Sequence, residues 1–401
     1  MKEFLLFPLV LLSFLNGIAQ SAFNRVYHNQ KEIIGPLLMN IHGDYYHCAN
    51  IFSFTDFGKC FIYRYGNTGN LKGRLSFTTT ASNYNVPNAS IKTNDNKLLL
   101  IGYTFGLCDN VDSSQRRTFI SKIDTNGNVL FITKVKRQFA SSFSTDDFKT
   151  ILQNTDSSYC TFTDSVMFKF SKTGQLLFRK NLGIDSISSC LLLQNNSILL
   201  SARQNSITSL ITISQNGIQL ASHTFTTLLK KMIFYNGQKI MGLNNNGILY
   251  KIDTGFNSIN NSTTLLTGIK DLVVENDTVY SISNTNYSVS DTSFNLLSVI
   301  TNTTQKNYQA FICKVNNSIA ITASCSTGGS TNYHSFSSLN VIHKSGNTNF
   351  VNDIEVSSAT ADSVYCLLNG FNDFNCYMRA KVKIKNKGAT IINRFTLNSD
   401  Y

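Results

Sequence analysis

The chain has 401 residues, 42% of them hydrophobic and 14% charged, with a formal net charge of +12. That balance is globular and long enough for one large repeat domain or two ordinary ones, and 3 prolines leave no room for a Pro-rich linker. The positive charge points to a solvated basic surface or to attraction for polyanions. Nucleic acid is a poor partner for the exported chain that the N-terminus predicts.

Residues 1–19 stand apart. Lys2 gives a small positive start, Phe4 to Leu15 is a nearly unbroken apolar run, and Gly17-Ile18-Ala19 puts small residues where a signal peptidase reads. We expect a secretory signal, cleaved after Ala19 and short for a membrane span. No later stretch is long and apolar enough to cross a bilayer. The mature protein is therefore expected to be soluble, monomeric, and secreted or periplasmic. Residues 20–36 form an N-terminal segment in which Phe23–His28 reads as an extra strand. It would clasp the fold by adding to the eighth unit, or cover an edge.

From residue 37 to residue 401 one unit recurs. Its clearest copy is Phe119-Ile-Ser-Lys-Ile123-Asp124-Thr-Asn-Gly127-Asn128-Val-Leu130, a strand, a tight turn and a strand. Copies aligned on the turn glycine fall at Gly69, Gly127, Gly174, Gly217, Gly255, Gly346 and Gly388. In the sixth copy Asn302 stands in the glycine's place, after a strand at Leu297–Ile300. Asn126-Gly127 and Asn216-Gly217 are dipeptides suited to positive φ at both turn positions. From Gly69 to Gly388 the mean period is about 46 residues, a spacing typical of propeller blades. Each copy follows a second hairpin in which a polar turn separates two apolar runs, as in Cys190–Leu200 and Leu272–Ile282. Four strands per unit, a to d, in eight units predict an all-β fold: a β-propeller of eight four-stranded blades, with seven as the alternative count. A four-stranded unit cannot bury both faces alone, and stacking units around an axis solves that.

The unit resembles the repeat of exported bacterial propeller-like proteins of Bacteroidetes type: apolar pair, turn, apolar pair, Lys-apolar-Asp, Asn-Gly-Asn. The likeness covers residue 37 to the C-terminus. It implies a fold rather than an activity. The chain departs from that pattern in having no tryptophan.

In such a ring the b–c and d–a connections share one face and vary in length. Long examples are expected at Thr78–Ala89, Phe105–Arg117, Gln138–Asp147, Asn284–Ser293 and Ser324–Ser335. Loops on a rigid scaffold carry binding residues. The candidates there, by chemistry, are Asp109, Asp112, Arg116, Arg117, Tyr287, Tyr333, His334, Phe371 and Phe374. No catalytic constellation, metal site or cofactor motif is nominated. His42 and His47 flank a turn and have no third histidine nearby. Asp124–Asn128 lacks the bidentate acid of a calcium loop and reads as a hairpin turn. Nine cysteines with no CxxC fit neither zinc nor redox chemistry. Cys48/Cys60 and Cys366/Cys376 lie at mirror positions about b–c loops and are candidate disulfides. The expected function is a non-catalytic exported binding module for a protein or glycan at the loop face. The alternative is a propeller enzyme acting on polysaccharide at the channel mouth.

Overall fold

The computed structural model describes residues 23–27, 32–51, 59–67, 70–77, 84–105, 117–136, 147–237, 239–253, 255–261, 268–283, 286–301, 306–315, 318–327, 334–343, 354–369 and 373–386. After a short strand β1 (Phe23–Tyr27), six sheets follow, each built of four consecutive antiparallel strands. Blade 1 is β2 (Glu32–Ile41), β3 (Asp44–Ile51), β4 (Lys59–Tyr65) and β5 (Leu71–Phe77). Blade 2 is β6 (Tyr84–Lys92), β7 (Leu98–Phe105), β8 (Arg117–Ile123) and β9 (Val129–Lys136). Blade 3 is β10 (Thr150–Gln153), β11 (Tyr159–Phe162), β12 (Val166–Phe170) and β13 (Leu176–Asn181). Blade 4 is β14 (Ser186–Leu192), β15 (Ile198–Gln204), β16 (Ile207–Ile213) and β17 (Gln219–Thr224). Blade 5 is β18 (Leu229–Tyr235), β19 (Lys239–Asn244), β20 (Leu249–Ile252) and β21 (Ser258–Asn261). Blade 6 is β22 (Ile269–Glu275), β23 (Thr278–Ser283), β24 (Asn286–Asp291) and β25 (Leu296–Thr301).

A further sheet has a mixed origin. Strands β26 (Lys306–Val315), β27 (Ser318–Thr327) and β28 (His334–His343) take their fourth strand from the other end of the chain, where β1 pairs with β28 through Phe23↔Val341 to Tyr27↔Ser337. The first strand of each sheet touches the first strand of the next, from β2 through β6, β10, β14, β18 and β22 to β26, and β26 touches β2. The expected extra strand at Phe23–His28 therefore does add to a sheet, but to the seventh unit and not the eighth. The eighth unit was expected to be a four-stranded blade. Its described residues instead form a two-stranded hairpin, β29 (Ile354–Asn369) and β30 (Asp373–Asn386).

Packing explains the continuous apolar runs. Leu98 and Leu100 join Met39, Ile41, Tyr46 and Ile62 of blade 1 in one core, while Leu99 and Ile101 join Phe148, Tyr159 and Phe170 of blade 3 in another. Alternation along β7 thus serves two interfaces, and both faces need apolar side chains. The same division recurs between blades 3 and 4, 4 and 5, and 5 and 6. Outer strands differ. Along β13 and β17 most residues are exposed, because each closes a blade on the rim.

The c–d turns lock neighbouring blades together. Asp124 accepts hydrogen bonds from the backbone N–H of Asn126 and Asn128, each at 2.8 Å, and from the Asn128 side-chain amide at 2.8 Å. Its carboxylate is consumed by its own turn, which supports the hairpin reading over a cation loop. Gly174, with φ +84, shows the other half of the device. A Cβ there would run into the Phe131 ring of blade 2, and Thr133 of the same outer strand donates to the Gly174 carbonyl at 2.6 Å.

One unit was misaligned by sequence. Leu297–Ile300 was expected as strand c with a turn at Asn302, and Asn284–Ser293 as a loop. In the structure Asn286–Asp291 is strand c, and Leu296–Thr301 is strand d. The turn between them is Asp291-Thr-Ser-Phe-Asn295. Asp291 accepts from the N–H of Ser293 at 2.8 Å and of Asn295 at 2.9 Å, and Phe294 occupies the left-handed position with φ 68. Phe256 does the same in Asp253–Asn257, with φ 63. Burial of the Phe294 ring, under the ammonium of Lys251, helps hold a conformation that glycine would adopt without strain.

Candidate functional site

In every sheet of the ring, strand a begins on the face that carries the b–c and d–a connections. There the a–b pairing shifts register at a matching place in blades 1, 2, 4, 5 and 6 and in the sheet closed by β1. The bulged residues are Asn88 in blade 2, Ser188 in blade 4, Lys230 in blade 5, Lys270 in blade 6 and Tyr308 in the sheet closed by β1; blade 1 inserts residues 35–37 at this point. A bulge re-aims a side chain and ends regular pairing. The chain thus builds a ring of displaced residues at the inner mouth. The b–c turns of blades 3 and 4 are short, at residues 163–165 and 205–206, as is that of blade 5 at residues 245–248.

Side chains at and beside this ring stitch successive inner strands together from β6 to β26. Asn88 donates to the Phe148 carbonyl at 3.0 Å, and Thr150 meets the Cys190 sulfur at 3.1 Å. Ser189 donates to the Leu229 carbonyl at 2.5 Å, and Lys230 donates to the Ile269 carbonyl at 3.1 Å. Asp271 accepts from the Ile312 N–H of β26 at 3.0 Å.

Charge gathers at blades 5 and 6. The Lys231 ammonium lies 2.5 Å from Asp271 Oδ1 and donates to the Leu272 carbonyl at 2.9 Å. Asp271 Oδ1 also accepts from the Leu272 N–H at 2.9 Å and Oδ2 from the Ile312 N–H, so this carboxylate serves three donors, Lys231, Leu272 and Ile312. Burial pushes the Lys230 pKa down; Asp271 opposes the shift, and the neighbouring Lys270 and Lys231 charges add to it. In blade 3 the equivalent Lys149 is neutralised by Asp164, from the b–c turn of the same blade.

The sequence-nominated residues lie elsewhere. Arg117 opens β8 and is half-buried. Tyr287 is the second residue of β24 and is buried rather than on a loop; burial, with Tyr280 beside it, pushes its phenol up. His334 opens β28, and Phe374 pairs with Leu368 in the β29–β30 hairpin. Asp109, Asp112, Arg116, Tyr333 and Phe371 lie outside the described residues. Arg117, Tyr287 and His334 are thus on three different sheets. Lys230, Lys231, Lys270 and Asp271 were not nominated. Their signal was the pair Lys230-Lys231 and the pair Lys270-Asp271, 40 residues apart at one repeat position.

The cysteines and histidines are also placed. Cys48 and Cys60 are buried thiols with sulfurs 3.1 Å apart; in register Cys48 faces Ile62 and Cys60 faces Asn50. Cys366 and Cys376 face each other directly across β29 and β30. His42 is exposed in the first a–b turn. His47 is fully buried beside Tyr63 at 5.2 Å and Tyr65 at 5.3 Å, and among the described residues neither ring nitrogen has a hydrogen-bond partner. Among the described residues no three His, Cys, Asp or Glu side chains come together in a metal-binding group, and no helix is long and apolar enough to cross a membrane.

No family model matches the chain, and no curated protein matches it. Among solved structures it is similar to a streptogramin B lyase, at 10% identity and a TM-score of 0.53 over 80% of this chain and 98% of that one. It is also similar to virginiamycin B lyase from Staphylococcus aureus, at 8% identity and a TM-score of 0.54 over 80% and 99%. A protein of unknown function from Bacteroides caccae aligns with 68% of the chain at 9% identity, with a TM-score of 0.42. Likeness at such identity shows a shared fold alone, and the fold it shows is a β-propeller.

Proposed function

We propose that the protein is an exported, non-catalytic binding module whose ligand meets the ring at the mouth where the inner strands begin. One contrast carries this reading. Scaffold positions repeat one geometry with one kind of partner: the c–d turn is closed by a short side-chain oxygen, of Asp124, Asp253, Asp291, Ser171 or Ser214, that accepts the backbone N–H four residues on. The mouth repeats its geometry while its chemistry varies, through Asn88, Ser188, Lys230, Lys270 and Tyr308. Constant backbone with variable side chains is what a presentation surface requires. The cycle of first strands and the β1–β28 pairing favour seven blades, with β29–β30 as an added hairpin. Export is favoured by the apolar run Phe4–Leu15 followed by Gly17-Ile18-Ala19.

The test is an array of neutral and acidic glycans, probed with the mature protein and with a variant carrying Asn88→Ala, Ser188→Ala, Lys230→Ala and Lys270→Ala. The parent is expected to bind a subset that the mouth variant loses. A control altered on the outer strands, Leu177→Ser with Leu220→Ser, should keep it. Equal binding by parent and mouth variant would overturn the proposal.

A further inference from the structure

The mouth is chemically uneven. Lys230 and Lys270 occupy the same bulge position on adjacent blades. The Lys230 ammonium reaches the Ile269 carbonyl at 3.1 Å, which brings it to the residue just before Lys270. Lys231 follows on the same strand and is clamped to Asp271. Three ammonium groups therefore share this end of β18 and β22 with one carboxylate.

That carboxylate is already committed. Asp271 Oδ1 takes Lys231 and the Leu272 N–H, and Oδ2 takes the Ile312 N–H. Among the described residues neither Lys230 nor Lys270 has a carboxylate in ion-pair contact. Compare blade 3, where Lys149 at the corresponding place is given Asp164. An unmatched, partly desolvated positive charge costs free energy unless a counter-charge arrives. Neighbouring lysine ammoniums without a matching carboxylate are also a common means of holding a phosphate or carboxylate oxygen. The lowered pKa of Lys230 has the same origin: burial first, with the like charges of Lys270 and Lys231 adding to it against Asp271.

We infer that the mouth at blades 5 and 6 is an anion subsite, in which Lys230 and Lys270 hold a phosphate or carboxylate group of the ligand while Asp271 holds Lys231 in place. This rests on the binding-module reading and narrows it to acidic ligands. Lys230 and Lys270 are the contacting residues, whereas Lys231 and Asp271 position the strands. The subsite belongs to the described inner strands and does not require the loop residues nominated from sequence.

The experiment uses the mature protein with its lysines converted to ¹³C-dimethyl-lysine, which keeps their charge. Signals of Lys230 and Lys270 are assigned by their loss in Lys230→Arg and Lys270→Arg. Inorganic phosphate and D-glucuronate are titrated separately at constant ionic strength, with D-glucose as the neutral arm. Saturable shifts of both signals with phosphate, glucuronate or both are expected, and the two anion arms tell the sources apart. Lys270→Gln should weaken the effect on Lys230 at least 5-fold, while Lys270→Arg should retain it, provided circular dichroism matches the parent. Shifts that never saturate, or an unchanged response in Lys270→Gln, would overturn the subsite. Failure of the two readings is distinguishable. Glucose or a neutral glycan moving the mouth signals while anions do not would remove the subsite and leave the module. Loss of array binding only in variants remote from the mouth would remove the module itself.

Discussion

His47 offers a quantitative test of the seam side of blade 1. It sits on β3 with no exposed surface, stacked on Tyr65 and tilted against Tyr63, and among the described residues neither ring nitrogen is hydrogen-bonded. Burial lowers its pKa from 6.5 to about 3. The unfolded chain therefore binds the extra proton between about pH 3 and pH 6.5, and stability falls as pH falls through that window. At 1.36 kcal/mol per pH unit below 6.5, acidification to pH 5.0 removes about 2 kcal/mol through this one residue. His47→Phe keeps a ring against the two tyrosines and abolishes the titration. Its effect at pH 7.5 should stay within about 1 kcal/mol, because the loss of two unsatisfied polar atoms offsets a slightly larger ring. The assay is urea unfolding of both proteins at pH 7.5 and pH 5.0. The parent is expected to lose about 2 kcal/mol more than the variant over that interval. Equal losses would show that His47 finds a partner or water in the folded protein, and the reasoning would fail.

Two other outcomes concern the scaffold. Asp271→Ala removes the acceptor for the Ile312 and Leu272 N–H groups and leaves Lys231 without its carboxylate. Breaking a fully buried pair costs about 3–5 kcal/mol; with the Lys231 side chain 33% exposed, we expect about 2–3 kcal/mol by urea unfolding, and a loss under about 0.5 would refute the three-blade link. Gly174→Ala and Gly43→Ala both place a Cβ at positive φ, but only the first meets a neighbour, the Phe131 ring. Gly43→Ala should cost about 1 kcal/mol and Gly174→Ala about 2–3 kcal/mol; equal melting temperatures for the two variants would argue against the turn-to-strand packing.

Much of the architecture was legible because it is local and repeated. Asn126-Gly127, the Asp124 carboxylate and the alternating runs specify hairpins from a few consecutive residues, and the period shows that those hairpins stack. Where glycine was the guide and phenylalanine took its place, at Phe256 and Phe294, the sixth unit was read out of register, and Tyr287 moved from a loop into a buried strand. The candidate site was harder to see. Lys230-Lys231 reads in the chain as an ordinary basic pair, since nothing local shows that Asp271 lies beside it, 40 residues on.

The amino-acid sequence by itself determined the strand class, the four-strand unit and the turn chemistry, all set by contacts within about a dozen residues. Only the tertiary structure decided how the ring closes and where its charge gathers. β1 pairs with β28 across more than 300 residues of chain, and Lys231, Asp271 and Ile312 meet because three successive blades bring their inner strands together. Such contacts depend on the small angle added at each blade interface, which no single repeat encodes.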